Sequence, residues 1–138
     1  MRRTPVWMLA LAVGVALGVL GTQALHAQQQ PITRTVLVKS ATLKGIPGMD
    51  GYVMDVTIAP GAQSGRHVHP GHEFSYVLDG EGILEVEGQP AQPLKKGVAF
   101  HVDPMVIHNG INTSMTTPLH VAVVYVLETG KPIATPVK

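Results

Sequence analysis

The chain predicts an all-β fold, a sandwich or a barrel, and three observations carry that expectation. Apolar residues recur at every second position in five separate runs, the period of an extended strand. No stretch of ten or more residues beyond residue 30 carries a helical stripe. Turn-forming residues cut the sequence at short intervals, which spaces many short strands along it. With 138 residues the chain is long enough for one hydrophobic core and too short for two comfortable ones.

The first 27 residues read as a leader outside that core. Arg2 and Arg3 precede an apolar run from about Val6 to Leu20, and polar residues follow. The run is nearer to a signal core than to the roughly 20 residues of a membrane span. Ala24 and Ala27 each offer a small residue for cleavage, and the cut is expected after Ala27; the alternative is an uncleaved N-terminal anchor. Export to the periplasm or the medium follows, with residues 28–138 as a single mature domain and no membrane contact after cleavage. Losing the leader removes two of the ten basic side chains and none of the nine acidic ones, leaving about one net negative charge. That balance supplies no basic patch for nucleic acid. Cysteine is absent, which excludes disulfides, thiolate metal ligands and a thiol nucleophile.

The first alternating run is "YVMDVTIAP", with Tyr52, Met54, Val56 and Ile58 on one face and Val53, Asp55, Thr57 and Ala59 on the other. "FSYVLDG" begins at Phe74, and "GILEVEG" sets Leu84 and Val86 opposite Glu85 and Glu87. "GVAFHV" and "LHVAVVYVLE" complete the set. Asp50-Gly51 and Asp79-Gly80 read as tight turns, since glycine accepts positive φ at no steric cost. "QQQP" at the front of the domain and "TGKPIATPVK" at its end read as irregular.

The densest chemistry is "RHVHPGHE", residues 66–73, which gathers three of the seven histidines and a carboxylate. His67 and His69 stand two apart, so on an extended segment both rings leave one face and can share an ion. Pro70 and Gly71 then bend the chain, and Glu73 can return an oxygen to the same point. Two imidazoles and a carboxylate suit a divalent first-row metal better than Ca²⁺ or Cu(I). A fourth ligand is still wanted.

The segment from Gly61 to Gly80, "GAQSGRHVHPGHEFSYVLDG", resembles the first cupin motif without a gap. "GVAFHVDPMVIHNGIN" resembles the second motif through Gly97, His108 and Asn112. In that segment Asp103 stands where the family usually has Pro and Met105 where it usually has Gly. Pro104 is displaced by one residue, and Val98 replaces a common acidic residue. The resemblance covers roughly residues 35–134 and implies a jelly-roll barrel, or double-stranded β-helix, that encloses a metal held by three His and one Glu. By that resemblance the ligands are His67, His69, Glu73 and His108, and the cofactor is a divalent ion, Fe, Mn, Ni, Cu or Zn. Four protein ligands on a six-coordinate ion leave two positions for substrate oxygens or for O₂.

Parity places the remaining candidates. His72 is expected to point away from Glu73 towards solvent, and His101 to take a supporting or surface place. His120 shares parity with Ala122, Val124 and Val126; it either lines the barrel and donates a hydrogen bond to substrate or is a satisfied core histidine. Ser75 and Val77 share the side of Glu73. Phe74, Tyr76 and Leu78 form an opposite face apolar enough to need cover, from the N-terminal segment or from a second copy in a homodimer. Arg66 falls opposite His67, away from any substrate. The function expected is binding of a small oxygen-bearing molecule and its dioxygenase-like oxidation, with Glu73 as ligand or as a detached base. The alternatives are a metal-dependent lyase or isomerase, and a non-catalytic module that binds a small molecule or metal.

Overall fold

The computed structural model describes residues 31–138, so the expected leader and its cleavage site lie outside the described residues. Among the described residues there are ten strands, and no helix is long and apolar enough to cross a membrane. One antiparallel sheet orders β1 (Ile32–Ser40), β2 (Met49–Ile58), β9 (Leu119–Glu128), β4 (Gly71–Asp79) and β7 (Ala99–Val102). The other orders β10 (Thr135–Pro136), β3 (His67–Val68), β8 (His108–Asn112), β5 (Glu81–Val86) and β6 (Gln92–Lys95).

All five alternating runs form strands, as β2, β4, β5, β7 and β9. Their inward faces build the core: Met54, Val56 and Ile58 from β2, Val77, Leu84, Val102, and Leu119 to Leu127 at every second position of β9. Leu119, Leu127 and Val77 are fully buried, each contributing about 1.5–3 kcal/mol of hydrophobic stabilisation. β2 and β9 pair without a break from Met49↔Glu128 to Ile58↔Leu119. A slip of one residue would turn every one of these side chains outward, so the core itself fixes the register.

Four stretches depart from the sequence reading. Asp50-Gly51 is not a turn; both residues lie inside β2, and the chain reverses before it at Gly45 and Gly48. Asp50 is buried and its carboxylate accepts from the Thr42 amide and the Thr129 hydroxyl, both at 2.8 Å, which stitches the loop before β2 to the end of β9. Asp79-Gly80 does turn, but as a corner between sheets, since β4 and β5 belong to different ones. Gly80 sits at φ 84°, and a Cβ there would lie 2.3 Å from the Pro118 carbonyl oxygen. The tail pairs at Thr135–Pro136 as β10 where irregular chain was expected, and β1 pairs along β2 where no strand was assigned; of "QQQP", residues 28–30 lie outside the described residues. Both are edge strands with exposed faces, so neither shows the in-out alternation that marks a half-buried strand.

Asn112 of the second motif has a structural task. It is 1% exposed, and its amide nitrogen donates to the carbonyls of Ile58, Ala59 and Thr117 while its oxygen accepts from the Ser114 amide. One side chain thereby closes the loops at one end of the barrel. On the outer face Phe74 and Tyr76 are exposed, as parity predicted.

The Thr42 amide, with Thr129, holds the Asp50 carboxyl below its ordinary value. Such a group stabilises the fold above the unfolded pKa, and the effect is lost as pH falls through the folded one. Asp50→Ala is therefore expected to lower the melting temperature at neutral pH, and the gap to wild type should narrow in acid below the carboxylate range. Thermal unfolding by circular dichroism across pH checks this; a gap that ignores pH would mean that the ionised carboxylate is not the stitch.

Candidate metal centre

His67 on β3 pairs directly with His108 on β8, so antiparallel register alone brings two imidazoles to one face of their sheet. His69 follows in the bend. Gly71 makes that bend possible, because a Cβ there would lie 2.1 Å from the Val126 carbonyl oxygen. Glu73 then enters from the opposite sheet, in register with Tyr125 of β9. All four predicted ligands are buried, between 2% and 8% exposed.

The three rings meet with centroids 4.3 to 5.0 Å apart, and each offers a nitrogen within 4.8 Å of the others. Glu73 Oε2 lies 2.9 Å from His69 Nε2 and 3.3 Å from His108 Nε2, and Ser75 donates to its Oε1 at 2.6 Å. The outer nitrogens have partners of another kind. Nδ1 of His67 meets the Gly65 carbonyl at 2.7 Å, Nδ1 of His108 meets that of Val106 at 3.0 Å, and Nδ1 of His69 meets that of Ile133. A carbonyl can only accept, so each Nδ1 carries the hydrogen and each Nε2 keeps its lone pair. Nε2 of His69 and of His108 is buried without an aligned hydrogen bond, despite the nearby carboxylate. Leaving such a group unsatisfied costs about 1–3 kcal/mol, which a cation at the point of convergence would relieve. Three imidazole nitrogens and a carboxylate are a donor set that fits a divalent first-row ion.

The burial and contacts that build this geometry shift its titratable groups in different directions. Burial opposes ionisation of Glu73, but the contacts with His108, His69 and Ser75 outweigh it and hold the carboxyl well below the usual range. Burial pulls His67 down to about 4, with the neighbouring His108 and His69 adding to the effect. For His108 burial acts downward too, yet the Glu73 contact prevails and raises it. Burial, then the Glu73 charge, pushes the Tyr125 phenol upward, so it keeps its proton.

Three contributors escaped the sequence reading. The tail supplies the Ile133 carbonyl that orients His69. Tyr125 packs its ring 4.7 Å from that of His69, and its parity with Val121 and Val123 was the available signal. Arg34 on β1 pairs with Val56, an inward residue, and lines both an inner cavity of about 50 Å³ beside His67, Glu73 and His108 and a wider mouth of about 500 Å³. The β-branched run from Ile32 to Val36 could have disclosed its strand.

The other candidates lie elsewhere. His120 has the predicted parity, but that parity is the outer face; its Nε2 sits 2.7 Å from Asp55 Oδ2, and it does not line the barrel. Both faces of β9 are apolar, so the strand alone could not say which turns inward. His72 and His101 stand on the outer face, whereas Arg66 pairs with Glu87 at 3.0 Å and, against the expectation, also lines the wider mouth beside Arg34 and His67. Met105 occupies φ 60°, a left-handed conformation that costs a side-chain-bearing residue about 1–2 kcal/mol. Its amide donates to the His69 carbonyl at 2.9 Å, so the turn before His108 is kept without the glycine usual in the resembled motif.

A family model described as "Cupin domain" matches residues 54–125. The chain belongs to the cupin superfamily. Among solved structures, this cupin is similar to a cupin-like protein from Thermotoga maritima, 26% identical with a TM-score of 0.60 over 77% of this chain and 75% of that one. It is also similar to the DMSP lyase DddQ from Ruegeria pomeroyi, at 20% identity and a TM-score of 0.59, over 77% of this chain but only 51% of the lyase. The polyketide cyclase RemF from Streptomyces resistomycificus matches at 18% identity and a TM-score of 0.61, over 79% of this chain and 72% of the cyclase. At such identities the lyase and the cyclase share the fold alone. No curated protein matches this cupin.

Because His67 falls to about 4 in the fold from 6.5 when unfolded, the unfolded chain binds more protons between those values. Its contribution to stability should therefore weaken as pH drops from 6.5 to about 4. In metal-stripped protein, the stability of wild type minus that of His67→Gln is expected to decline over this window in urea titrations. A difference that stays flat would refute the buried neutral imidazole.

Proposed function

We propose that this cupin holds a divalent metal ion on His67, His69, Glu73 and His108 and acts as a metal-dependent enzyme on a small oxygen-bearing molecule. The observation that carries the reading is the common tautomer: three backbone carbonyls take the Nδ1 hydrogens, leaving three Nε2 lone pairs to converge beside one carboxylate. Bound there, the ion would act as a Lewis acid on a substrate oxygen or, if redox-active, support oxygen chemistry. Arg34, at the junction of mouth and cavity, offers a fixed positive charge to an anionic group such as a carboxylate. Val56, Ile58, Leu84, Leu119 and Val121 line the inner space and exclude water from it.

Two reaction classes have support. Tyr125, a buried phenol kept protonated beside an ionised Glu73, gives the site a proton donor and an acceptor, which favours a lyase or isomerase. The dioxygenase-like reading draws on the inner cavity of about 50 Å³, whose largely apolar walls leave room beside the four ligands for a molecule as small as O₂. Export to the periplasm or the medium belongs to the same proposal, on the strength of the leader.

Purified wild type is expected to retain a tightly held ion through gel filtration, and His67→Ala and His108→Ala to lose it; metal retained in full by both variants would end the assignment. Removing residues 133–138 deletes the carbonyl that orients His69 and should weaken affinity about 10–100-fold. Small carboxylates offered with and without O₂ separate the reaction classes: anaerobic turnover supports the lyase or isomerase, oxygen uptake the dioxygenase. For the former, Tyr125→Phe should lower kcat by about 10²–10⁴ with metal content unchanged. Saturable binding without turnover in either atmosphere would leave a binding module instead.

A further inference from the structure

A second convergence of metal-ligating groups lies on the outside of the barrel, with no part in the interior site. Phe74 on β4 pairs with His101 on β7, and Glu73 with Val102, so His72 and Asp103 come opposite each other one step along the same outer face. The three polar side chains close into a triangle. His72 Nδ1 is 3.0 Å from His101 Nε2, and Asp103 Oδ1 is 3.7 Å from the first and 3.8 Å from the second. Donors bound about 2.0–2.2 Å from one ion at tetrahedral or octahedral angles stand about 2.8–3.6 Å apart, so the triangle needs to contract by only a few tenths of an ångström.

The rings are already held in place. His101 stacks on Phe74 with centroids 4.7 Å apart and planes 22° from parallel, and His72 stacks on His101 at 5.2 Å and 23°. This pile fixes both rings before any ligand arrives, which lowers the ordering cost of binding. The three side chains remain between 38% and 68% exposed, so an ion can reach them and water can complete its coordination. On such a surface a hydrogen bond between two imidazoles competes with water and stabilises little. A shared cation uses the same geometry to better effect, and the Asp103 carboxylate supplies the compensating charge.

We infer that His72, His101 and Asp103 form a second, solvent-facing site for a borderline divalent ion such as Zn²⁺, Ni²⁺ or Cu²⁺, weaker than the interior one and independent of it. Two imidazoles and a carboxylate select these ions over Mg²⁺ and Ca²⁺. The test uses Zn²⁺ alone, added to full-length protein and followed by calorimetry and by imidazole NMR. Wild type is expected to bind a weaker equivalent that shifts the ring signals of His72 and His101. His101→Ala and Asp103→Ala should each weaken that equivalent, His101→Ala by at least about 100-fold, while His67→Ala leaves it in place. Unmoved His72 and His101 signals in excess Zn²⁺, or the same weak equivalent in wild type and in His101→Ala, would overturn the inference.

Discussion

The constraint that orders this molecule is the burial of three imidazoles and a carboxylate in a barrel otherwise built from valine, leucine and isoleucine. A buried charge without compensation costs several kcal/mol, so each polar atom has to be answered by a partner. The outer nitrogen of each of these three histidines is answered by a main-chain carbonyl, and one carboxylate oxygen by Ser75. What is left over is a set of inward lone pairs and one negative charge. The site is thus defined by subtraction: the backbone and Ser75 satisfy everything except the atoms that could grip a cation.

The fold is what allows that subtraction. His67 and His108 come from one sheet, Glu73 and Tyr125 from the other, and the register of each sheet is fixed by apolar side chains that have no chemistry of their own. Corners such as Gly80 and bends such as Gly71 carry the chain between layers where any Cβ would collide with backbone. The last residues pair with β3 and contribute Ile133, so even the tail belongs to the surroundings of the site. Precision in the centre is therefore distributed over most of the domain.

Electrostatic asymmetry adds direction. Glu73 is kept ionised by His108, His69 and Ser75 against the burial that opposes it, and Tyr125 is kept protonated by burial and by the Glu73 charge. Arg34 brings the opposite charge to the rim of the cavity. On the far side of β4 the alternation of the same strand presents His72 and Phe74 to solvent. One strand thus serves a dry inner surface and a wet outer one.

Much of this was legible in the chain. Period-two patterning located the five strands that fill the core, because half-burial imposes alternation on any strand with one wet face. The spacing of His67, His69 and Glu73 and the resemblance to the cupin motifs gathered the four residues that the fold brings together. Edge strands β1 and β10 left no such trace, since an exposed strand places no demand on its sequence. For β9, apolar on both faces, pairing with β2 and β4 decided that Tyr125 points in and His120 out. Asp50-Gly51 has the composition of a turn and the position of a strand, because buried partners from Thr42 and Thr129 outweighed local preference. The sequence by itself determined which side chains seek the interior and which carry donor atoms able to ligate a cation. Only the tertiary structure decided their orientation, because tautomer, facing and register are set by atoms far away along the chain.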